Sequence, residues 1–143
     1  MPDAVSETLH ASCVALSGRA LLIAGASGSG KSGLALNLMA LGAGLVSDDR
    51  TILTRHGDRL IASAPATIEG LIEARGLGLL RAEPAGPTPV FALLDLDIPE
   101  VHRLPPARNT SRLGCEITLL LRSEIPHFAA SLMQFLRTGQ RTT

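Results

Sequence analysis

Gly25-Ala26-Ser27-Gly28-Ser29-Gly30-Lys31-Ser32 is the stretch on which the fold turns. It satisfies G-x-x-x-x-G-K-[ST], with small residues at every variable position, and small residues let a backbone wrap closely around phosphate groups. Successive N–H groups and the positive end of a following helix then face the negative charge. In such a loop Lys31 bridges the terminal phosphates of ATP, and the Ser32 hydroxyl joins a Mg²⁺ shell completed by water and phosphate oxygens. All eight positions, Gly25, Ala26, Ser27, Gly28, Ser29, Gly30, Lys31 and Ser32, are therefore candidates for ATP binding.

The neighbouring residues supply the context the motif needs. Ala20-Leu21-Leu22-Ile23-Ala24 is continuously apolar, as expected of a strand covered on both faces. After the loop, Leu34, Leu38 and Leu41 recur at helical spacing, with Gly42 and Gly44 as left-handed stops. Strand, glycine loop and helix in that order predict an α/β fold with a mixed sheet and the nucleotide at the strand-to-helix turn. At 143 residues and 45% hydrophobic content, residues 1–143 are expected to form a single domain.

Further out, Ser17-Gly18-Arg19 between two apolar runs predicts a hairpin, and His56-Gly57-Asp58 predicts a second. Leu45-Val46-Ser47 reads as a short strand closed by Asp48-Asp49. Pro65 suits the first turn of a helix carrying Ile68, Leu71 and Ile72, which places Glu73 and Arg75 at a helix end. A strand through residues 90–94, a loop over 99–112, a late strand over 115–121 and a helix opened by Pro126 complete the pattern. That last helix carries the stripe Phe128, Leu132 and Phe135, and residues 137–143 read as a disordered tail.

Composition narrows the function classes. Thirteen basic and thirteen acidic residues cancel, so the overall charge draws neither nucleic acid nor an anionic membrane. Cys13 and Cys115 sit among apolar neighbours and read as two buried thiols in a reducing, cytoplasmic setting. The first residues lack the basic and apolar regions of a targeting signal, and no apolar run reaches the length of a membrane span.

Two adjacent aspartates after a strand can divide the chemistry: one serves the metal shell while the other takes the proton of an attacking hydroxyl. Which of Asp48 and Asp49 does which is open in the sequence. His10, expected on a strand, and the Glu73–Arg75 pair have no role that their own neighbours assign.

With these segments laid out, the chain resembles the catalytic domain of the HPr kinase/phosphorylase family, bacterial enzymes that phosphorylate a serine of the phosphocarrier protein HPr. The likeness is carried by the phosphate loop with the following Leu45-Val46-Ser47-Asp48-Asp49, by Leu71-Ile72-Glu73-Ala74-Arg75-Gly76-Leu77-Gly78-Leu79-Leu80, and by His10 upstream. It implies that Lys31 and Ser32 bind phosphate and metal, that Asp49 or Asp48 is the proton acceptor, and that Glu73 joins the Mg²⁺ shell together with Ser32 and Asp48. It further implies that His10 and Arg103 are active-site residues, and that Arg75, Gly76 and Gly78 belong to a catalytic loop. The fold it implies is similar to the core of phosphoenolpyruvate carboxykinase, assembled into a hexamer, with HPr or a related phosphocarrier as partner. The chain looks like the short, single-domain form. The late proline- and arginine-rich element tied to dephosphorylation is reduced to Arg122 and a displaced Pro126, so the kinase direction is favoured over the phosphorylase. Two other readings share the loop: a small-molecule kinase or NTPase, and a nucleotide-sensing module without chemistry.

Overall fold

The computed structural model describes residues 5–142. Ser6–Leu9 (β1), Ala11–Leu16 (β2) and Arg19–Ala24 (β3) lead into the helix Lys31–Ala40 (α1). Gly44–Ser47 (β4), Thr51–His56 (β5) and Arg59–Ser63 (β6) follow, then a single 3₁₀ turn at Ala66–Ile68. Leu71–Ala74 (β7) and Gly78–Arg81 (β8) form a separate two-stranded ribbon. Thr88–Pro99 (β9), Asn109–Arg112 (β10), Cys115–Arg122 (β11) and the helix Phe128–Thr138 (α2) complete the chain.

Among the described residues nine strands share one mixed sheet, along the path β1-β5-β6-β9-β3-β2-β4 with β10 and β11 as a branch. Strand β9 is its hub. It runs parallel to β3, pairing Leu21 with Ala92 and Ala24 with Asp95, and parallel to β11 over the same residues. Its first residues, Thr88 and Pro89, pair instead with β6. The parallel β3–β9 pair brings the C-terminal ends of both strands to the start of the glycine-rich loop.

Alternation along β3 explains why the sheet is covered on both faces. Leu21 and Ile23 pack with Leu38, Leu132, Met133 and Leu136 of the two helices. Ala20 and Leu22 point the other way, towards Leu53, Leu60, Cys115 and Ile117. Arg19 ties the last helix to the sheet: its guanidinium donates to the carbonyl of Leu136 at 2.8 Å and of Arg137 at 3.2 Å, satisfying carbonyls that a helix end leaves open.

Both predicted hairpins form, at Ser17-Gly18 and Gly57-Asp58. Just past α1, the Gly42 N–H donates to Met39 O at 3.0 Å, and its φ of 116° turns the chain out of the helix. Gly44 is not a helix stop; it opens β4, where Ala85 approaches so closely that a Cβ would sit 3.1 Å from that methyl. The α1 stripe also shifts: Ala35 and Leu38 are buried, whereas Leu41 is exposed. Strand β9 is longer than expected and the expected 99–112 loop holds β10. Residues 137 and 138 close α2 rather than starting a tail, and Thr143 lies outside the described residues. Both cysteines are buried and free. The opening residues 1–4, read for targeting signals, also lie outside the described residues. No helix is long and apolar enough to cross a membrane among the described residues.

The helix expected after Pro65 does not form. Gly70, at φ 74°, breaks the chain after one 3₁₀ turn, and a side chain there would meet Ala82 O at 3.0 Å. Leu71 and Ile72 then enter a hairpin whose turn uses the positive φ of Gly76 (95°) and Gly78 (129°). Glu73 is thus on a strand and Arg75 in the turn. Three apolar residues at helical spacing were outweighed by glycines whose conformations a helix does not use.

Candidate functional site

The loop of residues 25–32 spans the gap between β3 and α1. Gly30 takes a left-handed conformation, φ 100°, at the start of α1 with no side chain capping the helix, so the first N–H groups of α1 remain available to an anion. Gly25 is required by close approach. A Cβ there would lie 2.6 Å from Ser29 Oγ and 3.2 Å from Leu96 Cβ. Lys31 is 5% exposed and its Nζ donates to Gly25 O at 2.9 Å and Ala26 O at 3.1 Å. The loop thus holds its own cation folded against its first turn.

Beside it opens a cleft of about 500 Å³ whose lining includes Ser27, Lys31, Ser32, Asp48, Asp49 and Glu73. The two aspartates separate cleanly. Asp48 is buried; its Oδ1 accepts from Ser32 Oγ at 2.6 Å and from Ser12 Oγ at 2.8 Å, and its Oδ2 accepts from the Glu73 N–H at 3.0 Å. One carboxylate therefore connects the loop, β2 and the β7–β8 ribbon. Asp49 is exposed, adopts φ 68°, and its Oδ1 accepts from His10 Nε2 at 2.8 Å. Aspartate tolerates a left-handed backbone better than most residues, and here the Asp49 N–H is held by Ser12 Oγ at 3.1 Å.

His10 lies in the bend between β1 and β2, not on a strand, and still reaches Asp49. Glu73 and Arg75 line the same cleft, with Gly76 and Gly78 shaping the turn that carries Arg75. Arg103 does not belong to this assembly. It is an exposed residue of the 100–108 segment and lines a different groove, between that segment, β11 and α2. Its neighbour Glu100 pairs with Arg108, and that contact holds the Glu100 carboxyl well below its usual range, at about 2.

Ser12 and Asp97 also belong to the site. Ser12 reads in sequence as a small polar residue in an apolar strand, and nothing local signals that it bridges both aspartates. Asp97 accepts from the Ala26 N–H with both carboxylate oxygens, at 3.0 and 3.1 Å. Its sequence signal is an apolar run ending in Asp95-Leu96-Asp97, of the same kind as the run ending in Asp48-Asp49.

The donor set fits a nucleotide phosphate with Mg²⁺. Ser32, Asp48 and Glu73 offer hard oxygen donors next to the loop, and Mg²⁺ usually takes one or two carboxylates together with water and substrate phosphates. No cluster of three or more His, Cys, Asp or Glu side chains suited to a metal occurs among the described residues.

Strand, glycine loop, helix and a cleft lined by lysine, serine and carboxylates define a nucleotide-binding domain of the phosphate-loop class. Residues 3–85 match the family model described as HPr Serine kinase C-terminal domain, and the chain belongs to that family. It is 42% identical over 72 residues to an HPr kinase/phosphorylase of Mycoplasmopsis pulmonis, covering 50% of this chain and 23% of that protein. It is 44% identical over 78 residues to the Bordetella pertussis HPr kinase/phosphorylase, covering 54% and 25% respectively. The chain thus aligns with about a quarter of the length of these relatives. The solved Hpr(Ser) kinase/phosphatase of Coxiella burnetii superposes with a TM-score of 0.80 at 24% identity, over 92% of this chain and 95% of that one, and shares its mixed α/β fold.

Proposed function

We propose that this chain is an ATP- and Mg²⁺-dependent protein serine kinase whose substrate is HPr or a related phosphocarrier. The observation that carries the reading is the division of the two aspartates: Asp48 is bound to the loop serine, while Asp49 stands in the open cleft beside His10. The name of the matched family and of its relatives supplies the substrate class.

In this reading the N–H groups of the loop and Lys31 hold the phosphates, and Lys31 neutralises charge that spreads over the transferred group. Ser32 and Glu73 would hold Mg²⁺, with Asp48 fixing the Ser32 hydroxyl; the ion would contribute charge neutralisation on the phosphates. Asp49 takes the proton of the acceptor serine as its oxygen bonds to phosphorus and the bond to the departing nucleoside diphosphate breaks. His10 orients the Asp49 carboxylate. Arg75, exposed in the ribbon turn of Gly76 and Gly78, lines the cleft and would face the incoming protein. Arg103, which lines another groove, has no part in this scheme. The proposal covers the kinase direction only.

The same reading takes residues 1–143 as one catalytic domain, supported among the described residues by two apolar clusters that share β3 and β9. A cytoplasmic location and a hexameric assembly belong to the same reading. The test is transfer of label from γ-labelled ATP to a purified phosphocarrier carrying its acceptor serine. Asp49→Asn is expected to lower transfer by about 10²–10⁴-fold, the usual range for loss of a general base, with ATP binding retained. Binding of ATP by the unaltered chain with no transfer would replace the kinase by a nucleotide-sensing module.

A further inference from the structure

Asp97 has no place in the scheme above, yet it grips the first turn of the loop. It lies near the C-terminal end of β9, which runs parallel to β3, the strand that feeds the loop. Its own backbone is held: the Asp97 N–H donates to Asp95 Oδ1 at 2.9 Å, and Asp95 is in register with Ala24. From this fixed point both carboxylate oxygens accept the Ala26 N–H. Leu96, between the two aspartates, joins Ser29 in crowding Gly25: a side chain there would meet Ser29 Oγ at 2.6 Å and Leu96 Cβ at 3.2 Å.

The Ala26 N–H and the Gly25 carbonyl belong to one planar peptide unit, so fixing one end fixes the other. The Gly25 carbonyl is the acceptor 2.9 Å from Lys31 Nζ. On the far side of Ala26, its carbonyl accepts from Lys31 Nζ at 3.1 Å and from the Ser29 N–H at 3.0 Å. An anionic acceptor thus sits on the N–H end of this peptide and the loop's cation on its carbonyl end. Rotation of the peptide would break both contacts together. A charge-assisted hydrogen bond is among the stronger local restraints available to a glycine-rich turn, which has little side-chain packing of its own.

We propose that Asp97 is a positioning residue: through the Gly25–Ala26 peptide it sets the starting position of Lys31 and the shape of the loop that receives ATP phosphates. The proposal rests on the nucleotide-binding reading above. Its chemistry is local, since the Asp97 carboxylate contacts the loop backbone and not the reacting atoms.

The experiment compares the unaltered chain with Asp97→Ala and Asp97→Asn in three measurements: calorimetric titration with ATP and Mg²⁺, amide hydrogen exchange at Ala26 by NMR, and thermal unfolding without nucleotide. Asp97→Ala is expected to weaken ATP binding about tenfold and to speed Ala26 exchange by a similar factor, the scale of one charge-assisted hydrogen bond at an exposed site. Asp97→Asn keeps one acceptor oxygen and is expected to stay within about threefold of the unaltered chain, with all three unfolding midpoints within about 2 °C. Tight ATP binding and slow Ala26 exchange in Asp97→Ala would overturn the role, as would an affinity loss matched by a general fall in the unfolding midpoint. Failure of the unaltered chain to bind ATP would instead remove the nucleotide reading, and this proposal with it.

Discussion

The cleft end of the sheet and the α2 side of the molecule are held by different forces. At the cleft, residues 25–32 with Asp48, Asp49 and Glu73 are organised by hydrogen bonds between polar groups of distant segments, and the family match extends over residues 3–85. On the other side, α2 covers the sheet with Leu132, Met133 and Leu136, and its Phe135 forms a tilted ring pair with Phe91 of β9, 5.1 Å between centroids. The likeness to the Coxiella burnetii structure runs through both regions, over 92% of the chain, at only 24% identity. A phosphate cradle needs particular donors at particular backbone angles, so few residue types serve. A covering helix needs apolar volume at the right spacing, which many sequences supply.

That contrast can be broken by experiment. Lys31→Ala should reduce phosphotransfer by about a thousandfold or more, since a preorganised cation at the transferring group is worth at least as much as one lost oxyanion donor. Its unfolding midpoint in urea should barely move. Undiminished transfer from γ-labelled ATP would remove the chemistry from the cleft altogether.

Leu132→Ala tests the opposite region. Leu132 is 3% exposed within the helix-side core, so truncation should cost about 2–5 kcal/mol in urea unfolding. ATP affinity of the remaining folded protein should be unchanged. A fall in affinity that tracks the stability loss would mean that the two regions are one cooperative unit and the comparison does not hold.

The smallest effect expected is a pH dependence on the α2 side. Hydrogen bonding from Arg108 is the largest cause of the lowered Glu100 pKa, to about 2 from 4.5, with further contacts from His102. A depressed carboxyl contributes stability that is complete above the unfolded value and is lost as pH falls towards the folded one. Denaturant midpoints should therefore fall between about pH 4.5 and 2 more steeply in the unaltered protein than in Glu100→Gln. Identical slopes would show that this contact contributes nothing measurable.

Much of the cleft was legible because its chemistry is local in sequence. The phosphate loop declares itself within eight residues, and the strand before it and helix after it follow from adjacent periodicity. The Asp48-Asp49 pair was equally visible, but its division of labour was not, since burial of Asp48 depends on Ser12, Ser32 and Glu73 arriving from three other segments. The helix expected after Pro65 failed because Gly70, Gly76 and Gly78 favoured a ribbon over a weak apolar repeat. Arg103 lies in the 100–108 segment, and which groove that segment lines is a matter of topology.

By itself the sequence determined that a strand, a phosphate-gripping loop and a helix occur in succession, because the backbone angles and apolar periods that specify them span only a few residues each. Tertiary structure alone decided which aspartate is buried, that His10 meets Asp49, that Glu73 reaches the cleft on a strand, and that Asp97 holds the loop. Those facts depend on which distant segments pair in the sheet, and pairing is set by the packing of the whole chain rather than by the preferences of neighbouring residues.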